Sequence, residues 1–208
     1  MRENIEIRNI QTEIRAVGDS RTIEALAIPV NSKSEFLFGK FYEIISPEAI
    51  NDELIRANDV KLYLNHDMSQ GTYARSKYGS GSLELFVTDE GLCFRTEIPA
   101  TAFGDVVLEG IRRGDYDAIS FAFIPDENLE VWGTDEYGNK TRTINKIKWL
   151  DEVSILSMQP AYAATKVNMR SYDEYVKKLE VEEEKEKEVH TRKLVKKLDA
   201  LEEIINEM

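Results

Sequence analysis

Histidine and cysteine are nearly missing from this chain, which has two His and one Cys in 208 residues. A lone Cys93 cannot form an internal disulfide, and no Cys and His cluster has the spacing of a zinc site. The expectation is a protein of a reducing cytoplasm that needs no metal or organic cofactor. Long apolar runs are also lacking. Met1 to Ile10 alternates charged and apolar residues where a signal peptide carries a continuous apolar core, and no later stretch approaches the length of a membrane span. Positive charge is in deficit: 27 Lys and Arg stand against 39 Asp and Glu, for a net charge of -12. Phosphate contacts need clustered Lys and Arg, so nucleic acid is not an expected partner, and neither is a membrane. An acidic surface favours solubility and basic partners.

What is present is a patterned body followed by a charged extension. The length suits one globular domain with an appended segment. From about Ser171 the composition changes to Lys and Glu, with Leu194, Leu198, Leu201 and Ile205 at helical spacing. The expected division is 1–170 for the globular domain and 171–208 for a charged helical tail, an assembly or scaffold-like segment. Within the body, Thr22 to Val30 and Leu37 to Ile45 are rich in strand formers. Ser46-Pro47 predicts an N-cap with proline at the first position of a helix reaching about Ala57. Val60, Leu62, Leu64 and His66 fall on one face of a period-two strand. Ser82 to Val87 and Gly91 to Ile98 predict a hairpin, after which Thr101 caps a helix that Gly114 stops. Ala118 to Phe123 predicts a strand with Ile119, Phe121 and Phe123 on one face and Ser120 between two alanines on the other, open to approach. Asn128 to Trp132 and Thr141 to Trp149 predict a further hairpin that runs on to Leu156. The fold class expected is mainly β with helices.

The scarcity of histidine narrows the chemistry. A hydrolase with a histidine base has one good candidate, His66, since His190 lies in the charge-rich tail. A serine hydroxyl is a poor nucleophile at neutral pH without such a base, and the imidazole needs an acceptor to fix its tautomer and stabilise its cation. Ser120 and Glu152 are residues of the required types. Each has a plainer reading when taken alone: a structural histidine at a strand end, a small packing serine, a solvated strand glutamate. Cys93 sits mid-strand without a helix N-terminus or basic pocket to lower its pKa, so it is read as structural. Asp67 is adjacent to His66, but neighbours on a strand point to opposite faces, so it is read as a solvated or turn-forming residue.

The ordered set Asn65-His66-Asp67, then Gly91-Leu92 after Asp89, then Ile119-Ser120-Phe121-Ala122-Phe123, then Leu150-Asp151-Glu152-Val153-Ser154 with Pro160-Ala161 resembles the prohead protease family of tailed phages. The resemblance covers roughly Thr22 to Val167. One departure is Pro47-Glu48-Ala49-Ile50, where the family commonly reads Pro-Gly-Ala-Phe. The family is similar in fold to the herpesvirus capsid-maturation protease, which implies a closed or partly closed β-barrel wrapped by helices. On that resemblance Ser120 is the nucleophile, His66 the base and Glu152 the third member, with Asp151 as the alternative. The implied activity is serine endopeptidase cleavage of the major capsid protein precursor and scaffold inside the procapsid, in the host bacterial cytoplasm, with self-association expected. Backbone amides can supply an oxyanion hole, and the loop Met158 to Thr165 is one candidate for it. A different class of reading stays open: a catalytically idle capsid-assembly or scaffolding protein that keeps the fold and works through its acidic tail.

Overall fold

In the computed structural model the alternating segments of the sequence become thirteen strands, and residues 4–157 and 170–206 are described. Strand β1 is Glu6–Gln11, β2 Ile14–Ala16, β3 Thr22–Pro29 and β4 Phe41–Ile45. Helix α1, Asp52–Ala57, precedes β5, Asp59–Leu64. Two short strands, β6 (Ala74–Lys77) and β7 (Ser80–Gly81), lead into the hairpin of β8 (Leu83–Thr88) and β9 (Gly91–Glu97). Helix α2, Ala102–Arg113, is followed by β10 (Ala118–Pro125), β11 (Glu130–Thr134), β12 (Lys140–Ile144) and β13 (Ile147–Leu156). The chain divides into two compact units, Met1–Asn168 and Met169–Met208. The second contains helix α3, Arg170–Asn206. The expected stripe Leu194, Leu198, Leu201 and Ile205 lies outside the described side chains.

Local chemistry explains the boundaries. Thr101 caps α2 by accepting from the Gly104 N–H, and Gly114 ends it in the left-handed region at φ 74°, where a residue without Cβ sits free of strain. The helix expected from Pro47 is broken in two. Pro47–Ala49 forms only a 3-10 turn, and Ser46 makes no capping bond. Asn51 is the true cap of α1, accepting from the Leu54 N–H at 2.9 Å. The segment Leu37 to Lys40 is a turn with Phe38 and Gly39 at positive φ, so that strand starts only at Phe41. The run expected to continue from Thr141 to Leu156 is also two strands, β12 and β13, which belong to different sheets.

The strands form sheets of order β1-β10-β13-β5-β6-β7, β11-β12-β4 and β2-β3-β9-β8. The closed barrel is not found among the described residues. The edges of the six-stranded sheet are β1 and β7, which do not pair with each other. Closure needs consistent tilt and register around the ring; here β7 is only two residues long and β10 against β13 is interrupted by register shifts at Ala122/Phe123 and Ile124/Pro125. The core gathers Ile119, Phe121, Phe123, Leu62, Val153 and Ile155 from one face of this sheet, together with residues of the other sheets and of α1 and α2.

Beside this apolar core lies an ionic one. Arg8 of β1 donates through Nε and Nη2 to both carboxylate oxygens of Glu43 on β4, each at 2.7 Å, and to Glu6 at 2.5 Å. Arg142 of β12 reaches Glu6 at 2.8 Å, Glu43 at 3.0 Å and Glu130 on β11. These side chains are at most 4% exposed. Burial by itself raises the Glu6 pKa, but the charges of Arg8 and Arg142 outweigh it and hold the carboxyl below its ordinary value. Buried charges survive only when paired this completely. The network fixes the edge strand β1 to the three-stranded sheet.

Candidate active site

Strand alternation sends the core residues of β10 and β13 to one face and leaves Ser120, Ala122, Glu152 and Ser154 on the other. The register then builds a row across four strands. Asn9 on β1 pairs with Ser120 on β10, Ser120 with Ser154 on β13, and Ser154 with Tyr63 on β5. One step along lies the pair Ala122 and Glu152. A polar row on a face this well covered is unusual, since Ser120 and Ser154 have no exposed surface and Glu152 has 8%. Ser120 is thus covered in the resting protein, where an open hydroxyl was expected. Small flanking residues let neighbouring groups close over the hydroxyl as readily as they leave it accessible.

His66 follows β5 instead of continuing its face. Asn65 and His66 have φ of 52° and 60°, a pair of left-handed residues that the period-two pattern did not anticipate. Asn65 anchors the turn to the end of β13: its side chain donates to Ser157 Oγ at 2.7 Å and accepts from the Ser157 N–H at 2.9 Å. Asp67 steadies the next turn by accepting from Ser69 N–H and Oγ and from Gln70 Nε2. The Ser69 bonds keep its carboxyl below the ordinary range. The reversal brings His66 Nδ1 into direct contact with Glu152 Oε1. The imidazole is part-exposed and the carboxylate nearly buried, so the carboxylate fixes which nitrogen carries the proton and leaves Nε2 free to act as a base.

The structure therefore brings His66 and Glu152 together and places Ser120 on the same face, one strand beyond β13. Ser120 Oγ here donates to the Arg8 carbonyl at 3.1 Å, and no hydrogen bond joins it to His66 among the described residues. Asp151, the alternative third member, occupies the register shift between the Phe123–Leu150 and Ala122–Glu152 pairs and accepts from Trp149 Nε1 at 3.1 Å. Cys93 belongs to the four-stranded sheet, 3.6 Å from Thr88 Oγ1. Met158 to Thr165 lies outside the described residues, as does the Pro160-Ala161 pair.

Two residues of the row escaped sequence reasoning. Asn9 has both side-chain polar atoms buried without a hydrogen-bond partner, and so has Ser154 Oγ. Leaving such a group unsatisfied costs about 1–3 kcal/mol. The signal for Ser154 was its place two residues beyond Glu152, hence on the same face; for Asn9 it was the alternation of residues 6–11, which forms β1.

An imidazole held by a carboxylate, with serine hydroxyls on the adjoining strands, is the side-chain set that serine proteases use. The model of the caudovirus prohead serine protease family matches residues 8–178. The chain belongs to that family, and it is a serine protease of capsid maturation. Among solved structures, that of the bacteriophage T4 capsid assembly protease gp21 is similar at a TM-score of 0.46 and 12% sequence identity, over 74% of this chain and 97% of that one. No curated protein matches the chain.

Proposed function

We propose that Ser120, His66 and Glu152 form the catalytic triad and that the enzyme cleaves the major capsid protein precursor and the scaffold inside the procapsid, in the cytoplasm of the bacterial host. The observation that carries this reading is the contact of His66 Nδ1 with Glu152 on the face that presents Ser120. Rotation about the Ser120 side-chain bond, between staggered positions, releases its hydroxyl from the Arg8 carbonyl and turns it toward the imidazole. His66 Nε2 takes the hydroxyl proton as Oγ bonds to the scissile carbonyl carbon, and the carbonyl π pair moves onto oxygen. Collapse of that intermediate breaks the C–N bond, and His66 returns the proton to the leaving amine. Water then repeats the sequence on the acyl-enzyme. Glu152 orients the ring and stabilises its cation throughout.

Alternation supports Glu152 over Asp151 as the third member, because Glu152 shares its face with Ser154 and touches the histidine. The tail beyond residue 170 is read as an assembly element that docks scaffold or a second copy. No helix among the described residues is long and apolar enough to cross a membrane. The test is incubation of the purified protein with its capsid precursor and scaffold, followed by mass spectrometry of the fragments. Defined cuts by the wild type and none by Ser120→Ala are expected. Cutting by the alanine variant at a rate near wild type would remove Ser120 from the role; intact precursor with both would favour the idle scaffolding protein.

A further inference from the structure

Asn9 lies on the edge strand β1 opposite Ser120, with Ala118 and Ala122 as its diagonal neighbours, and its amide is buried with neither Oδ1 nor Nδ2 bonded. An amide of this kind has capacity for two donated and two accepted bonds. Its place relative to Ser120 follows from the ladder. The Thr12 N–H donates to the Asp117 carbonyl at 3.0 Å, so in the antiparallel register the even-numbered residues of β1 make the exchanged bonds. That leaves Asn9 and Ser120 as a closely spaced, non-hydrogen-bonded pair. Their side chains rise side by side on one face, with Cβ atoms roughly 4.5–5.5 Å apart for such a pair. The Ser120 hydroxyl leans toward β1, since its acceptor is the carbonyl of the Arg8–Asn9 peptide bond.

We infer that the Asn9 side-chain amide is the donor that receives the negative charge on the scissile carbonyl oxygen when Ser120 attacks. The inference rests on Ser120 being the nucleophile. An oxyanion exists only along the reaction path, so its donor stands idle in the resting protein, which accounts for a buried amide without a partner. The donor must also be held before the reaction begins. Arg8, the preceding residue, supplies that rigidity through its paired bonds to Glu43 and its bond to the Ile7 carbonyl at 3.1 Å. Asn9 lies on the side of Ser120 opposite to β13, so the attacked carbonyl sits between a base reaching from His66 and a donor reaching from β1. Ser154 lies on the other flank of Ser120, between it and β5, the strand that precedes His66.

The test is steady-state cleavage of a peptide spanning a mapped cut site by Asn9→Ala, Asn9→Val and Ser120→Ala, with thermal melts of each. Both Asn9 variants lack the donor, and valine keeps strand preference should alanine loosen the edge. The expected result is a fall in kcat of about 10²- to 10³-fold with KM within a few-fold of wild type, and an equal or higher melting temperature because an unsatisfied amide is gone. Binding of a peptide aldehyde, which forms the tetrahedral adduct, should weaken in parallel, while binding of the uncleaved peptide to the Ser120→Ala background should not. An Asn9→Val enzyme with kcat near wild type, or a loss expressed in KM alone, overturns the inference while leaving the triad in place if Ser120→Ala is inactive. Full activity of Ser120→Ala would instead defeat the nucleophile reading, and the role of Asn9 with it.

Discussion

The two faces of the six-stranded sheet are made by alternate residues of the same strands and are both well covered at β10 and β13, yet they are built to opposite rules. On one, Phe121, Phe123, Val153 and Ile155 are almost fully buried and belong to the hydrophobic core. On the other, Asn9, Ser120, Ser154 and Glu152 occupy positions where apolar residues would be more stable, and two of them carry polar atoms with no partner. Burial alone therefore does not mark a residue as structural. The face of Phe121 and Val153 holds the fold together; the face that carries Ser120 also carries the Glu152 that touches His66.

Substitutions on the two faces should separate these roles. The largest effect on activity is expected for Ser120→Ala, with cleavage reduced about 10⁴-fold or more and a melting curve close to wild type, because one buried oxygen is lost from a site lined by alanines. Glu152→Gln should follow, with kcat down about 10²-fold or more as the imidazole loses its orienting carboxylate, while Asp151→Asn stays near wild type. Equal losses for both, measured side by side on one peptide, would collapse the distinction between the face of Glu152 and the bulge of Asp151. On the apolar face the pattern should invert. Phe121→Ala is expected to cost about 3–5 kcal/mol in denaturant unfolding while the protein that remains folded cleaves at near the wild-type rate.

The ionic core gives a subtler contrast, read by pH. Because Arg8 and Arg142 more than offset the burial of Glu6 and keep its folded pKa below 4.5, this carboxylate contributes stability that is present above about pH 4.5 and is lost as pH falls through the folded value. Thermal melts of wild type should therefore drop steeply in acid. Glu6→Gln should start lower at neutral pH, by about 3 kcal/mol for breaking a buried pair, and fall less steeply. Parallel curves for the two proteins would remove Glu6 from the acid response.

How much of this was legible in the sequence depended on whether the signal was local. The Thr101 cap, the Gly114 stop, the β8–β9 hairpin and the alternation in Ala118 to Phe123 all act within a few residues, and each is found where the sequence put it. Ser46-Pro47 misled because a proline favours any first turn, and the competing cap at Asn51 lies within reach. The left-handed backbone of His66 could not be read from its own side chain; only Asn65, which tolerates that conformation, carried a trace of it. Strand β1 was missed for a further reason. Its Glu6 and Arg8 are charged, and only the distant Glu43 and Arg142 make their burial possible. The barrel expected from the family resemblance failed on the shortness of β7, a property of pairing that no single segment shows.

The central claim is that the covered polar face holds the nucleophile, and covalent labelling tests it most directly. Treating the full chain with a fluorophosphonate probe and locating the adduct by mass spectrometry should place it on Ser120 in the wild type, with the adduct lost in Ser120→Ala and strongly reduced in His66→Ala. Labelling that maps to Ser154 or another serine, or labelling of Ser120 that is indifferent to His66, would contradict the account.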